Sequence, residues 1–224
     1  MITILTQRFL KFSAIQLTKS RKRFRGERLP EPDIYYFAYG ANLDPERFEH
    51  YQMNAIPVGI AKLEEYQLKF SLPCEYKGKG YASIAPCNSK IVWGYLYKID
   101  SLALKLLDIM EYAFLHHYKH LTVSVETKDR KKHSAIAYIT GYPKEGLLPS
   151  TQYKKMILEA GSKHAFPEEY LKEIESITSQ DSFELDPGFS LMIPSLRRPF
   201  ERFLKKPYLL HDRLREIVCE KLTF

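Results

Sequence analysis

Two stretches of the chain carry residue types that could do chemistry. In "LALKLLDIMEY" Leu104, Leu107 and Glu111 are spaced i, i+3, i+7, so on a helix they share one face. The two leucines seek a core. A carboxylate that continues their stripe is costly unless it is paired or used. Desolvation would also raise its proton affinity, which suits a general base working near neutral pH. The competing reading puts Glu111 at the helix end, fanning into water. The second stretch is "YYFAYGANL", residues 35–43, an aromatic strand that stops at Tyr39-Gly40-Ala41-Asn42. Gly40 permits positive φ, and Asn42 tolerates a left-handed backbone. Bare N–H groups in such a loop, just ahead of a helix start, form an anion site. Otherwise the stretch is a plain turn.

Other candidates are poorer. His116, His117 and His120 suggest a metal, but the first two alternate faces on a strand, and no cysteine or carboxylate spacing supports them. No metal is expected. No glycine-rich phosphate loop occurs, and Lys154-Lys155 reads as solvated helix surface. Cys74, Cys87 and Cys219 are widely spaced and odd in number, so they form neither a disulfide framework nor a zinc pattern. Free thiols point to a reducing compartment, hence the cytoplasm.

These residues need a scaffold. The chain of 224 residues has the 45% hydrophobic and 27% charged content of a globular protein, with no apolar run near membrane-spanning length. The net charge of +7 is concentrated. Residues 1–26 hold seven of the 34 basic residues and no acidic one, which leaves 27 basic against 27 acidic residues elsewhere. A nucleic-acid-binding domain spreads its basic residues over a folded face, so no nucleic-acid partner is expected. Residues 1–33 read as a basic arm. It serves as a solvated or docking extension, a mitochondrial-type transit peptide, or a contact to a membrane surface; no integral membrane contact is expected.

From Tyr35 onward short strands alternate with turns, at 35–39, 55–62, 66–71, 80–85, 90–99, 117–126 and 134–140. The stretch "IVWGYLYKI" (91–99) is apolar on both faces and reads as a central strand, in which Gly94 marks a close approach of other backbone or ligand. Asp44-Pro45 opens a helix over about 45–51, and Ser101 caps one over 102–111. Ser150 caps a third, with Gly161 as its stop, and Pro167 opens a fourth. There is no βαβ rhythm. The predicted fold class is α+β: a compact mixed or antiparallel β-barrel with flanking helices over 34–178. A C-terminal helical extension, 179–224, is predicted as two short amphipathic helices broken at Pro207. Its large apolar residues must pack on the barrel, the favoured reading, or on a second copy as a homodimer.

In order along the chain, "YFAYGANL", "IVWGYLYKI", "LLDIMEY" and "PSTQYKKMILEAGSKHAFPEEYLKEI" resemble the γ-glutamylcyclotransferase family over about residues 35–178. No single piece is specific; the ordered set is. The resemblance implies a β-barrel with flanking helices, no cofactor, and a small γ-glutamyl substrate converted to 5-oxoproline and a free amino acid. It implies Glu111 as the catalytic acid/base. Substrate binding would fall to Tyr39, Gly40, Ala41, Asn42 and Leu43, to Gly80 of Gly80-Tyr81-Ala82, and to Tyr118 and Tyr153. Two positions depart from the family pattern: Ala41 stands where the family has serine, and Tyr112 where it has the glycine after the acid. They leave the leaving group open, so cyclisation of γ-glutamyl amines is an alternative. A non-catalytic module that binds a partner through its arms is another.

Overall fold

The computed structural model describes residues 32–50, 53–113, 116–181, 184 and 186. Almost all of the basic arm (1–33), most of the C-terminal extension (179–224), its break at Pro207 and Cys219 lie outside the described residues.

Five strands close into a barrel: β1 (Ile34–Ala38), β2 (Ala55–Pro73), β3 (Gly80–Ile99), β4 (Tyr118–Thr127) and β5 (Lys132–Thr140). Their spatial order is β1-β3-β2-β4-β5. A parallel contact between Tyr36 and Ile136 joins β1 to β5; the other pairings are antiparallel. Among the described residues four α-helices flank it: α1 (Glu46–His50), α2 (Ser101–Met110), α3 (Thr151–Lys163) and α4 (Glu168–Ser176). This is the mixed barrel with flanking helices that the sequence predicts.

The strand count differs. The segments 55–62 and 66–71 are parts of β2, and 80–85 and 90–99 are parts of β3. Glu64 pairs with Ile91 and Tyr66 with Pro86, so residues 87–90 of β3 bulge opposite Glu65 alone. Glu65 and Ser89 both take positive φ, 63° and 62°. A bulge absorbs the extra residues while the ladder resumes on either side. In the sequence the same residues, Glu64-Glu65 and "CNSK", look like turns.

Gly94 lies opposite Ala61 within β3. A Cβ there would sit 2.4 Å from the Ala38 carbonyl oxygen and 2.5 Å from Phe37 Cζ. The close approach expected at Gly94 is thus to the end of β1, just before the loop of interest. Phe37, Val92, Leu96 and Val125 from the strands share one core with Leu106, Leu107, Ile157 and Ile174 from the helices.

Two helix ends fall elsewhere than the sequence places them. The α2 cap is Asp100, not Ser101. Asp100 ends the strand with extended backbone, and its Oδ1 accepts from Ala103 N–H at 2.7 Å. Gly161 does not stop α3, which runs to Lys163 with His164 at its C-cap. Gly161 is there for packing, because a Cβ would approach Leu171 and Phe166 to 2.9 Å. Ser150 does cap α3, accepting from Tyr153 N–H at 3.1 Å.

Gly94→Ala should overpack the junction of β1 and β3. The expected cost is about 1–3 kcal/mol, read as a fall in thermal midpoint of roughly 2–4 °C per kcal/mol. An unchanged midpoint would show that the junction has room to spare.

Candidate active site

At the end of β1 the chain enters a single 3-10 turn, Ala41–Leu43, closed by Leu43 N–H on the Gly40 carbonyl at 3.1 Å. The left-handed backbone expected at Gly40 and Asn42 is not used: Gly40 has φ −130° and ψ −129°, and Asn42 is not among the residues with positive φ. Glycine is needed for space instead. A Cβ at Gly40 would lie 3.2 Å from Tyr153 Oη and 3.3 Å from Ala82 Cβ. The turn is clamped from behind. The Leu43 carbonyl accepts from Tyr97 Oη at 3.1 Å and from His164 Nε2 at 2.7 Å, so that nitrogen carries the proton. The His164 ring in turn lies 4.1 Å from the Tyr95 ring. Just before the turn, the Tyr39 hydroxyl donates to the Tyr138 carbonyl.

Glu111 follows the last residue of α2 as its C-cap, with its N–H on the Leu107 carbonyl at 2.8 Å. The buried face of α2 is Ala103, Leu106 and Leu107, and Leu104 packs only partly against the core. The carboxylate does not fan into water. Its Oε1 accepts from Asn42 Nδ2 at 2.8 Å, and the same Nδ2 donates to Tyr36 Oη at 2.8 Å. A carboxylate only accepts, so the NH₂ end of the amide must face it, and both amide hydrogens are then spent. Asn42, expected among the substrate-binding residues, thus uses its donors to hold the acid.

Burial raises the proton affinity of Glu111 above the ordinary carboxylate range. The Asn42 hydrogen bond and the Arg47 charge oppose the rise, and the Asp108 charge, three residues back on α2, adds to it. Glu111 as a residue is half-buried, but its carboxyl end lines a pocket. The surroundings of that end decide the shift.

The pocket is an open cleft of about 320 Å³ when the solvent space at its mouth is included. Of the residues expected from sequence, Tyr39, Gly40, Ala41, Asn42, Glu111, Tyr118 and Tyr153 line it. Leu43 and Gly80 do not. The Leu43 side chain is fully buried in the core. Gly80 packs: its N–H donates to the Leu148 carbonyl at 3.0 Å, and a Cβ would lie 2.9 Å from the Phe70 carbonyl oxygen. Ala82, two residues on along β3, takes the wall position.

Sequence reasoning missed Tyr36, Ala82 and Tyr138, which complete the lining. The Tyr118 hydroxyl donates to the Ala82 carbonyl at 2.6 Å, and Tyr153 Oη accepts from Ala82 N–H at 3.3 Å. Burial pushes the phenols of Tyr39, Tyr118 and Tyr153 up, so all three are neutral at physiological pH. The pocket therefore combines one carboxylate with a rim of uncharged hydroxyls. Such a site can take a proton from a ligand amine without holding a second fixed negative charge.

Of the two departures from the family pattern, Ala41 leaves its backbone in the lining. Tyr112 adopts φ 51°, a left-handed conformation that favours glycine. Its ring lies 5.5 Å from that of His117, and burial pushes its phenol up to about 12.

Asn42→Ala should raise the midpoint of Glu111 titration, because the hydrogen bond it removes favours the ionised form. Carboxyl carbon NMR of selectively labelled Glu reads this directly. A midpoint that stays put or falls would show that Asn42 does not stabilise the charge.

Comparison with known proteins bears on what such a pocket does. Residues 91–174 match the model of the AIG2-like family. The chain is 33% identical to a bovine γ-glutamylcyclotransferase over 154 residues, 65% of this chain and 79% of the bovine one. It is 31% identical to the human γ-glutamylcyclotransferase over 159 residues, 67% and 82% of the respective chains. A solved γ-glutamyl cyclotransferase structure superposes with a TM-score of 0.61 at 27% identity, covering 72% of this chain and 98% of that one.

Proposed function

The chain belongs to the γ-glutamylcyclotransferase family, and from that premise we propose that its pocket releases 5-oxoproline from γ-glutamyl compounds, with Glu111 as general acid and base. One observation carries this reading. A desolvated carboxylate is tied by Asn42 to the loop Gly40–Asn42, in a pocket otherwise lined by neutral groups.

The reaction needs no second reactant. The substrate's α-ammonium gives a proton to the Glu111 carboxylate. The freed amine attacks the γ-carbonyl carbon of the same molecule and closes a five-membered ring. The amide bond to the leaving nitrogen then breaks. Two protons must pass from the α-nitrogen to the leaving nitrogen, and Glu111 carries them in turn. Its raised proton affinity brings it closer to the amines it serves, which is what proton transfer in both directions requires. Ring closure is intramolecular, so the pocket's main task is to fold the substrate. Orientation of this kind is worth roughly 7–11 kcal/mol in favourable cases. Backbone around Gly40–Asn42 is the proposed seat for the substrate carboxylate or the developing oxyanion. Tyr153 Oη, bonded to Ala82 N–H, would order the opposite wall.

Glu111→Gln should abolish 5-oxoproline release by at least the 10²–10⁴-fold typical of an acid–base group. It should not unfold the protein. A carboxyl whose folded-state proton affinity is raised contributes stability when protonated, and that contribution is lost as pH rises through its folded-state pKa. Glutamine mimics the protonated form, so the variant's thermal midpoint at neutral pH should equal or exceed that of the wild type. Assay against γ-glutamyl-amino acids and γ-glutamyl amines also identifies the leaving group. A stable Gln variant with near wild-type turnover would remove Glu111 from the mechanism.

A further inference from the structure

A second set of side chains abuts the pocket wall. Asp108 lies on α2 three residues before Glu111, His120 on β4, and Tyr138 on β5. His120 and Tyr138 are directly paired across the two strands, with ring centroids 5.0 Å apart. Asp108 Oδ1 accepts from Tyr138 Oη at 2.6 Å and from His120 Nε2 at 2.6 Å, while that nitrogen lies 3.3 Å from Tyr138 Oη. A carboxylate can only accept, so Nε2 of His120 carries its proton. A phenol has one proton, and Tyr138 gives it to Asp108. Tyr138 lines the pocket, and what its hydroxyl keeps to offer is therefore a lone pair.

This orientation matters for the cyclotransferase reading, on which the inference rests. A substrate amine poised for attack must keep its own lone pair toward the γ-carbonyl and lodge its N–H bonds elsewhere. Glu111 takes one of them. We propose that Asp108 and His120 are positioning residues that fix the Tyr138 hydroxyl as the acceptor for a second N–H of the reacting amine. The Asp108–His120 pair thereby turns Tyr138 from a wall residue into part of the amine seat. Both side chains of that pair are partly exposed, at 33% and 39%, so they can be replaced without emptying the core.

The same geometry makes Asp108 a neighbour that raises the proton affinity of Glu111. The groups near Glu111 are Asp108 on its own helix, Tyr112 just after it, Arg47 from α1, Asn42 and Tyr39 from the loop region, Tyr36 from β1, Tyr118 from β4, Tyr138 from β5 and Tyr153 from α3. Of these, Asp108 is the one that His120 contacts through its own hydrogen bond, together with Tyr138. Removing the Asp108 charge abolishes its contribution at Glu111.

The test is the pH profile of kcat/KM for 5-oxoproline release, run beside wild type and the Glu111→Gln variant. Those two controls decide the cyclotransferase reading by themselves. His120→Leu should lower kcat/KM about tenfold. His120→Gln, whose amide can still donate to Asp108, should stay within about threefold of wild type. Asp108→Asn should move the acid limb to lower pH. Tyr138→Phe should lose at least tenfold, and it carries the test if His120→Leu does not fold. Three results would overturn the proposal: a wild-type rate in His120→Leu, equal damage from Leu and Gln at 120, or full activity in Tyr138→Phe.

Discussion

One hydrogen bond ties the candidate site together: Asn42 Nδ2 to Glu111 Oε1, between residues 69 apart in sequence. A carboxylate removed from water must be stabilised or it takes up a proton. Here the group in direct contact is a neutral amide, and the Arg47 charge assists it from farther off. It allows Glu111 to ionise, yet leaves its proton affinity above the ordinary range. A lysine or arginine in direct contact would depress that affinity, and no partner at all would leave the acid protonated. The balance depends on holding two distant chain segments in register.

The barrel supplies that register. Gly94 lets β3 press against the end of β1, so the loop after Ala38 begins at a fixed point. From behind, Tyr97 and His164 clamp the Leu43 carbonyl. The Asp100 cap fixes where α2 starts, and ten residues of helix then deliver Glu111 to the pocket. Buried phenols from β1, β4, β5 and α3 close the walls without adding charge. These contacts reach across several elements, so the geometry of the site depends on the barrel and its helices together.

Much of this was legible in the sequence. Strand and helix periods gave the barrel with flanking helices, and the ordered motifs gave the loop and the acid. The errors share a cause. At Glu64-Glu65 and "CNSK" polar residues suggested turns, because a bulge and a turn use the same residue types. Ser101 and Asp100 are both good caps, and only the buried end of β3 selects Asp100. Gly161 and Gly80 were read for conformational or binding roles, but their need is space, which depends on Phe166, Leu171 and Phe70 from distant positions. Tyr36 and Tyr138 were hidden among 16 tyrosines. Alternation shows that a strand residue is buried, not whether it faces a core or a pocket. His164 carried no local signal, since its partner is the carbonyl of Leu43.

In the proposed reaction the pocket closes a ring within one substrate molecule, and the acid serves only as a proton carrier. Turnover of a γ-glutamyl-amino acid in ¹⁸O-labelled water, followed by mass spectrometry of the products, tests it most directly. The expected product is 5-oxoproline without label, because water oxygen never enters the reaction. Glutamate carrying ¹⁸O would mean that water, and not the substrate's own amine, attacks the γ-carbonyl, and would contradict it.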